Sequence, residues 1–204
     1  YAGNLDPRLD WTAGRDGVPY LDWGIHNPQY VRDRAYAGPF TPKKQSPYKS
    51  ENGSLTWSGN PRQNANNYRL IRLSHVLLWL AECEVETGGD LEKARSLVNQ
   101  IRKRASNPDG FVKLANGNPA GNYVIKEYTA PWTSQEAARK AVRFEMRLEF
   151  AMEGHRFFDL VRWGEADLVL NKYLEVEKTR RAYLWAYRSN DFELQVAQGL
   201  QRIR

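Results

Sequence analysis

Residues Glu145 to Gly164 read EMRLEFAMEGHRFFDLVRWG, and the reading of this stretch decides the fold. Glu145, Glu149 and Glu153 stand at i, i+4 and i+8, so one helical face carries three carboxylates. Ala138, Ala141, Val142, Leu148, Ala151 and Met152 lie along the same side, and Thr133-x-x-Glu136 offers a capping box ahead of them. The pattern predicts a long helix over residues 134–153, broken by Gly154. A short amphipathic helix over 155–162 presents Phe157, Phe158, Leu160 and Val161 and stops at Gly164. A third helix is predicted over 167–176, before a tail holding Tyr183, Leu184, Trp185 and Tyr187. Three carboxylates followed by His155 and Asp159 invite a metal reading, but neither His-Glu-x-x-His nor a paired Glu-x-x-His is present. Arg143, Arg147, Arg156 and Arg162 are at hand, so the expected role is an ion-pair network that fastens the helix.

Upstream, residues 68–105 read as a helical hairpin. Leu70, Leu73, Leu77, Leu80 and Ala81 recur at spacings of three and four, which predicts a helix over 68–87 with this stripe buried. Ile71, Val76, Leu78, Cys83 and Val85 fill its other faces, so burial on more than one side is expected, with Cys83 an inert core thiol. Gly88-Gly89 stops it, Asp90 caps its successor, and Leu91, Ala94, Val98, Ile101 and Ala105 form the second stripe. Two helices joined by so short a turn lie antiparallel, like one tetratricopeptide-type pair with Ala81 and Ala94 where they touch. One pair cannot bury its own stripe, so further helices must flank it. The chain is therefore expected to be mainly α, built of tetratricopeptide-like helical pairs over 68–204. Residues 106–131 are a loop excursion with turns at Asn107-Pro108-Asp109-Gly110 and Asn116-Gly117-Asn118-Pro119, and short strands are expected at 111–114 and 123–125.

Residues 1–67 are different in kind. Seven of the 10 prolines fall here, and helices and central strands do not tolerate such spacing. Yet the segment is rich in Trp and Tyr, which a floppy linker is not, so it is an irregular part ordered by packing or by a ligand. Trp11, Arg15, Tyr20, Trp23 and Trp57 stand out in it. Loops on a rigid scaffold concentrate binding residues. Indole faces suit the C–H faces of sugars, and a guanidinium forks toward hydroxyls or carboxylates. The competing reading buries these aromatics as the core of a strand-poor segment.

The remaining chemistry is mostly exclusion. The 204 residues carry 41% hydrophobic and 12% aromatic residues, too apolar for disorder. No apolar run reaches the ~20 residues of a membrane span. One cysteine rules out an internal disulfide framework. Gly-x-Ser-x-Gly, Walker and Gly-x-Gly-x-x-Gly patterns are absent, and no local pattern joins His26, His75 or His155 to a nucleophile. No catalysis, cofactor or metal is expected. Net charge is +6, but the tightest basic cluster, Arg102-Lys103-Arg104, closes a helix, where basic residues complement the dipole. A solvated helix end is expected there, and no nucleic-acid partner. The chain begins at Tyr1 without an initiator Met, signal peptide or lipidation motif, and reads as a piece of a longer or processed protein.

The quoted stretch also resembles a known family. Glu145-x-Arg147-x-Glu149-x-Ala151-x-Glu153-Gly154-His155-Arg156-Phe157-Phe158-Asp159-Leu160-Val161-Arg162-Trp163-Gly164 is similar to the C-terminal signature of the SusD/RagB family. The opening Asp6-Pro7-Arg8-Leu9 and the hairpin from Tyr68 through Arg102 agree with it. The resemblance implies a superhelix of tetratricopeptide-like pairs with an irregular ligand-facing part. It implies a non-enzymatic, surface-exposed outer-membrane lipoprotein of Bacteroidetes, whose lipid anchor is missing from this chain. Such receptors bind a glycan, or in some members a peptide, and close over a SusC-like TonB-dependent transporter. In this resemblance Glu145, Arg147, Glu149, Glu153, Gly154, Arg156, Asp159, Arg162 and Trp163 are structural. Met146 stands where a second arginine is common, which would thin the ion-pair network. The tail departs from the family pattern at Ala186-Tyr187-Arg188-Ser189.

Overall fold

Asp90 shows how directly the sequence builds the helices. Its carboxylate accepts from the backbone N–H groups of Glu92 and Lys93 and opens a helix over Leu91–Ala105. In the computed structural model, residues 3–57, 60–65, 67 and 69–180 are described. The expected tail aromatics, and Tyr68, lie outside them. Helices α1 (Leu9–Thr12), α2 (Arg34–Ala37), α3 (Leu73–Glu86), α4 (Leu91–Ala105), α5 (Gln135–Glu149), α6 (Arg156–Arg162) and α7 (Ala166–Arg180) dominate. Two small antiparallel ribbons join β1 (Ala13–Gly14) to β2 (Thr41–Pro42) and β3 (Thr56–Trp57) to β4 (Asn60–Asn64). The chain divides into two compact units, Tyr1–Glu153 and Gly154–Arg204.

In the first unit, α3, α4 and α5 pack on one another. Leu78, Ala81 and Val85 of α3 meet Ala94, Leu97, Val98 and Ile101 of α4 and Ala138, Val142 and Met146 of α5 as the buried core. Ala81 and Ala94 are fully buried, as small residues at a close helix contact should be.

Helix α3 uses a different face from the one its leucine spacing predicts. Ser74, His75, Leu78, Ala81, Glu82 and Val85 are buried, while Leu70, Ile71, Leu73, Val76 and Leu80 are exposed. Cys83 is also exposed rather than core. The helix is apolar on every side, so periodicity cannot choose the packed face. The face with Ala81 and Ser74 lets neighbouring backbones approach, and that face packs. The helix begins at Leu73, later than predicted, because residue 72 is extended and His75 Nδ1 reaches back to accept from the Arg72 backbone N–H at 3.1 Å.

Helix α5 is capped by Ser134 instead of Thr133, through a bond from the Ala137 backbone N–H at 3.2 Å. It stops at Glu149, before the predicted residue 153, because Met152 takes a left-handed φ of 65°. The carbonyls left open there are met by a side chain: Lys44 Nζ donates to Glu149 O at 2.8 Å and to Ala151 O at 3.2 Å. Met146 is buried in the core, so it serves packing and takes no place in an ion-pair network.

The excursion over 106–131 forms isolated bridges, Lys113 with Pro119 and Leu5 with Tyr123, where strands were expected. Its return leg is held by polar side chains along one edge of α4. Asn99 exchanges two bonds with the Tyr128 backbone at 2.9 and 2.8 Å, and Arg102 Nε donates to Lys126 O at 2.6 Å.

In the second unit, α6 and α7 follow Gly154, whose φ of 83° suits glycine. Asp159 is buried and accepts from Arg162 Nε at 3.0 Å. The Arg156 and Arg162 guanidiniums lie 5.4 and 5.0 Å from the Trp163 ring centroid.

Candidate functional site

The expected ion-pair network exists, with different arginines. Glu145, Glu149 and Glu153 are all buried on the packed side of the α5 region. Their partners come from remote parts of the chain. Arg8 Nη1 reaches Glu145 at 2.6 Å and Glu149 at 2.9 Å, while its other donors grip Asp6. Arg102 holds the second oxygen of Glu145 at 2.8 Å. Arg72 contacts Glu149 and clasps Glu153 through two nitrogens, at 3.1 and 2.8 Å. Arg104 reaches Glu149 at 2.5 Å, and Lys44 reaches Glu153 at 2.5 Å. The cluster Arg102-Lys103-Arg104 is thus not simply a solvated helix end, since Arg102 and Arg104 each pair with a buried carboxylate.

The arginines proposed from sequence play other parts. Arg143 pairs with Glu86 at 3.5 Å, and Arg147 is exposed, without an ion pair among the described residues. Helical geometry accounts for this: a neighbour on α5 that is also outward-facing cannot reach a carboxylate turned into the core. Burial by itself would push the Glu149 carboxyl up, but the hydrogen bonds and charges of Arg104 and Arg72 overcome it and hold the group at about 2. Glu153 is likewise held below its usual range against its burial, by Arg72 and Lys44.

The irregular segment is fastened by two adjacent lysines. Lys44 caps α5 as described. Lys43 turns the other way and is almost fully buried, with Nζ donating to Asp10 O at 2.6 Å and Pro19 O at 2.7 Å. Burial lowers its pKa. Close packing continues at Gly14, where an added Cβ would fall 2.6 Å from Tyr20 Cδ2 and 2.8 Å from His26 Cδ2. His26, Tyr20 and Tyr30 form an aromatic cluster with centroids 4.8 to 6.0 Å apart, and Asp16 bonds His26 Nδ1 at 3.0 Å.

Against this scaffold the five residues singled out in the sequence separate. Arg15 is engaged with the buried Asp10 carboxylate, with Nε at 2.6 Å and Nη2 at 2.9 Å, and with Ala120 O. Tyr20 donates to the Pro42 carbonyl, and its hydroxyl also lies 2.7 Å from Ser46 Oγ. Trp11, Trp23 and Trp57 keep 39%, 39% and 59% of their surface exposed. The Trp11 indole N–H is anchored on Gly110 O at 2.7 Å and that of Trp23 on Pro47 O at 2.9 Å, so each ring is held in place while still open to solvent.

Two clefts flank Trp11. One of about 510 Å3 is lined by Trp11, Arg8, Lys44, Arg69, Arg72, Arg104 and Glu149 among others. The second, of about 590 Å3, shares Trp11, Lys44 and Arg69 with it and adds Lys43, Ser46, Tyr48 and Glu51. Sequence reasoning found Trp11 here but missed Lys44, Arg69, Arg72 and Arg104, which carry no local motif and meet only through the fold.

The SusD family profile matches residues 2–195. The chain belongs to the SusD family. A "SusD-like protein" of Formosa agariphila is 32% identical over 119 residues, 58% of this chain and 19% of that protein. The crystal structure of a SusD superfamily protein from Bacteroides vulgatus superposes with a TM-score of 0.56 over 83% of this chain and 31% of the other, at 23% identity. The chain thus spans less than a third of either SusD relative. The fold resembles that of the solved SusD superfamily protein, mainly helical with few strands. Among the described residues no helix is long and apolar enough to cross a membrane.

Proposed function

We propose that this chain is part of a non-catalytic nutrient-binding protein of the cell surface. Its ligand is a glycan, delivered to a SusC-like TonB-dependent transporter in the outer membrane, where a lipid anchor holds the protein. The observation that carries the reading is a set of solvent-open indoles in the irregular segment: Trp11 and Trp23, each anchored through its N–H, and Trp57, the most exposed of the three. An indole fixed through its N–H presents a rigid apolar face at little entropic cost, which is what a sugar platform requires. Arg15 and Tyr20 belong to the same surface as supports, since their polar tips are engaged within the loops. Membership of the SusD family supports the transporter partner and the surface location.

The test is a glycan and peptide array with the full-length protein, followed by Trp→Ala changes at positions 11, 23 and 57. Retention of a saccharide, weakened by about 1–3 kcal/mol for a platform residue with the melting temperature kept, is the expected result, taking base stacking as the analogue. Retention of proteins alone would instead identify a tetratricopeptide-like interaction module.

A further inference from the structure

The geometry points to the paired clefts around Trp11, Lys44 and Arg69 as a subsite for an acidic sugar, one that carries a carboxylate or a sulfate. The inference rests on the glycan-binding reading above and gives it a ligand class. Charge balance is its first support. Arg8, Arg72, Arg102, Arg104 and Lys44 meet the carboxylates Asp6, Glu145, Glu149 and Glu153, which leaves one cation in excess. Arg69 lines both clefts, is exposed, and has no ion pair among the described residues. Lys43, beneath Trp11, is almost fully buried, held by backbone carbonyls and close enough to feel the Asp10 carboxylate, so it adds nothing to this count.

Of the two acidic groups lining the clefts, one is already neutralised. Glu149 is covered by Arg8, Arg72 and Arg104. Glu51, which accepts from the Tyr48 backbone N–H at 2.9 Å, keeps its charge but lines the second cleft only, so the positive excess is greatest in the first, which Arg104 and Arg69 share. Arg104 spends one nitrogen on Glu149 and keeps 57% of its side chain exposed, so its remaining donors face solvent. Two guanidiniums with open donors therefore share a concave site with an anchored indole. The guanidinium fork matches a carboxylate or sulfate, and the indole face suits a pyranose ring better than it suits an extended acidic peptide.

The full-length protein is titrated by calorimetry with trigalacturonate, with its methyl ester, with a sulfated galactan oligosaccharide, with a neutral galactan oligosaccharide and with hexaglutamate. Binding of at least one acidic oligosaccharide is expected, lost on esterification or desulfation and weakened by salt. Arg69→Ala should weaken it by about tenfold or more, as for a charge-assisted bond, at an unchanged melting temperature. If only the neutral oligosaccharide binds, the acidic subsite is refuted and the glycan reading stands. If no saccharide binds, both fall. Tighter binding of hexaglutamate than of either acidic sugar overturns the sugar assignment, and wild-type affinity in Arg69→Ala overturns the placement.

Discussion

At the scale of single residues, the buried carboxylates and the exposed arginine of one helix make opposite predictions. Glu145 is fully buried between Arg8 and Arg102. Changing Glu145→Gln leaves two guanidiniums short of a counter-charge and should cost about 3–5 kcal/mol in denaturant melts. Arg147→Ala, two positions on, should stay within about 0.5 kcal/mol. A large loss at Arg147 would mean that the network extends beyond the partners described. Glu149 adds a pH dependence. Its folded pKa of about 2 lies below the ordinary 4.5, so its contribution is complete above about pH 4.5 and is lost as the pH falls toward 2. The difference is worth on the order of 3 kcal/mol, and acid titration of wild type against Glu149→Gln should show most of it disappearing in the variant. The carboxylate triplet was legible in the sequence because i, i+4, i+8 spacing is local. Its partners were not, because nothing in residues 8, 72, 102 or 104 announces a meeting with residue 149 before the fold exists.

At the scale of elements, helix existence was readable and the packed face was not always so. In α4 a single apolar stripe lies among charges, and Ala94, Val98 and Ile101 are buried as their spacing requires. In α3 leucines lie on every side, and the face with the strongest leucine repeat is the open one. Leu78→Ala should therefore cost about 2–5 kcal/mol, as for a buried leucine that leaves a cavity. Leu73→Ala should be nearly silent in the same melts, since 72% of that residue is exposed. Equal losses at the two positions would return the packed face to the leucine repeat. The indoles show the same limit on the loops. Aromatic-rich turns were visible in residues 1–57, but only the fold shows that Tyr20 is tied to a carbonyl while Trp57 stands open.

At the scale of the whole molecule, the closing of the charge network has a consequence for time as well as for stability. Arg8 is separated from Glu145 and Glu149 by 137 and 141 positions, and Arg72 and Arg104 from Glu149 by 77 and 45. Contacts of such separation form only after large loops have closed, so they reward the chain late on the folding route. The hairpin of α3 and α4, joined through Gly88 and Gly89, closes across a short turn and can form early. Stopped-flow measurements on Arg8→Gln should thus show faster unfolding with a nearly unchanged refolding rate, whereas Ala94→Gly in the hairpin should slow refolding. Slower refolding in Arg8→Gln would place the network in the nucleus instead. With the late arrangement, Arg8 acts as a latch on the lifetime of the folded state: the loops and helices can assemble without it, and how long they stay assembled depends on it.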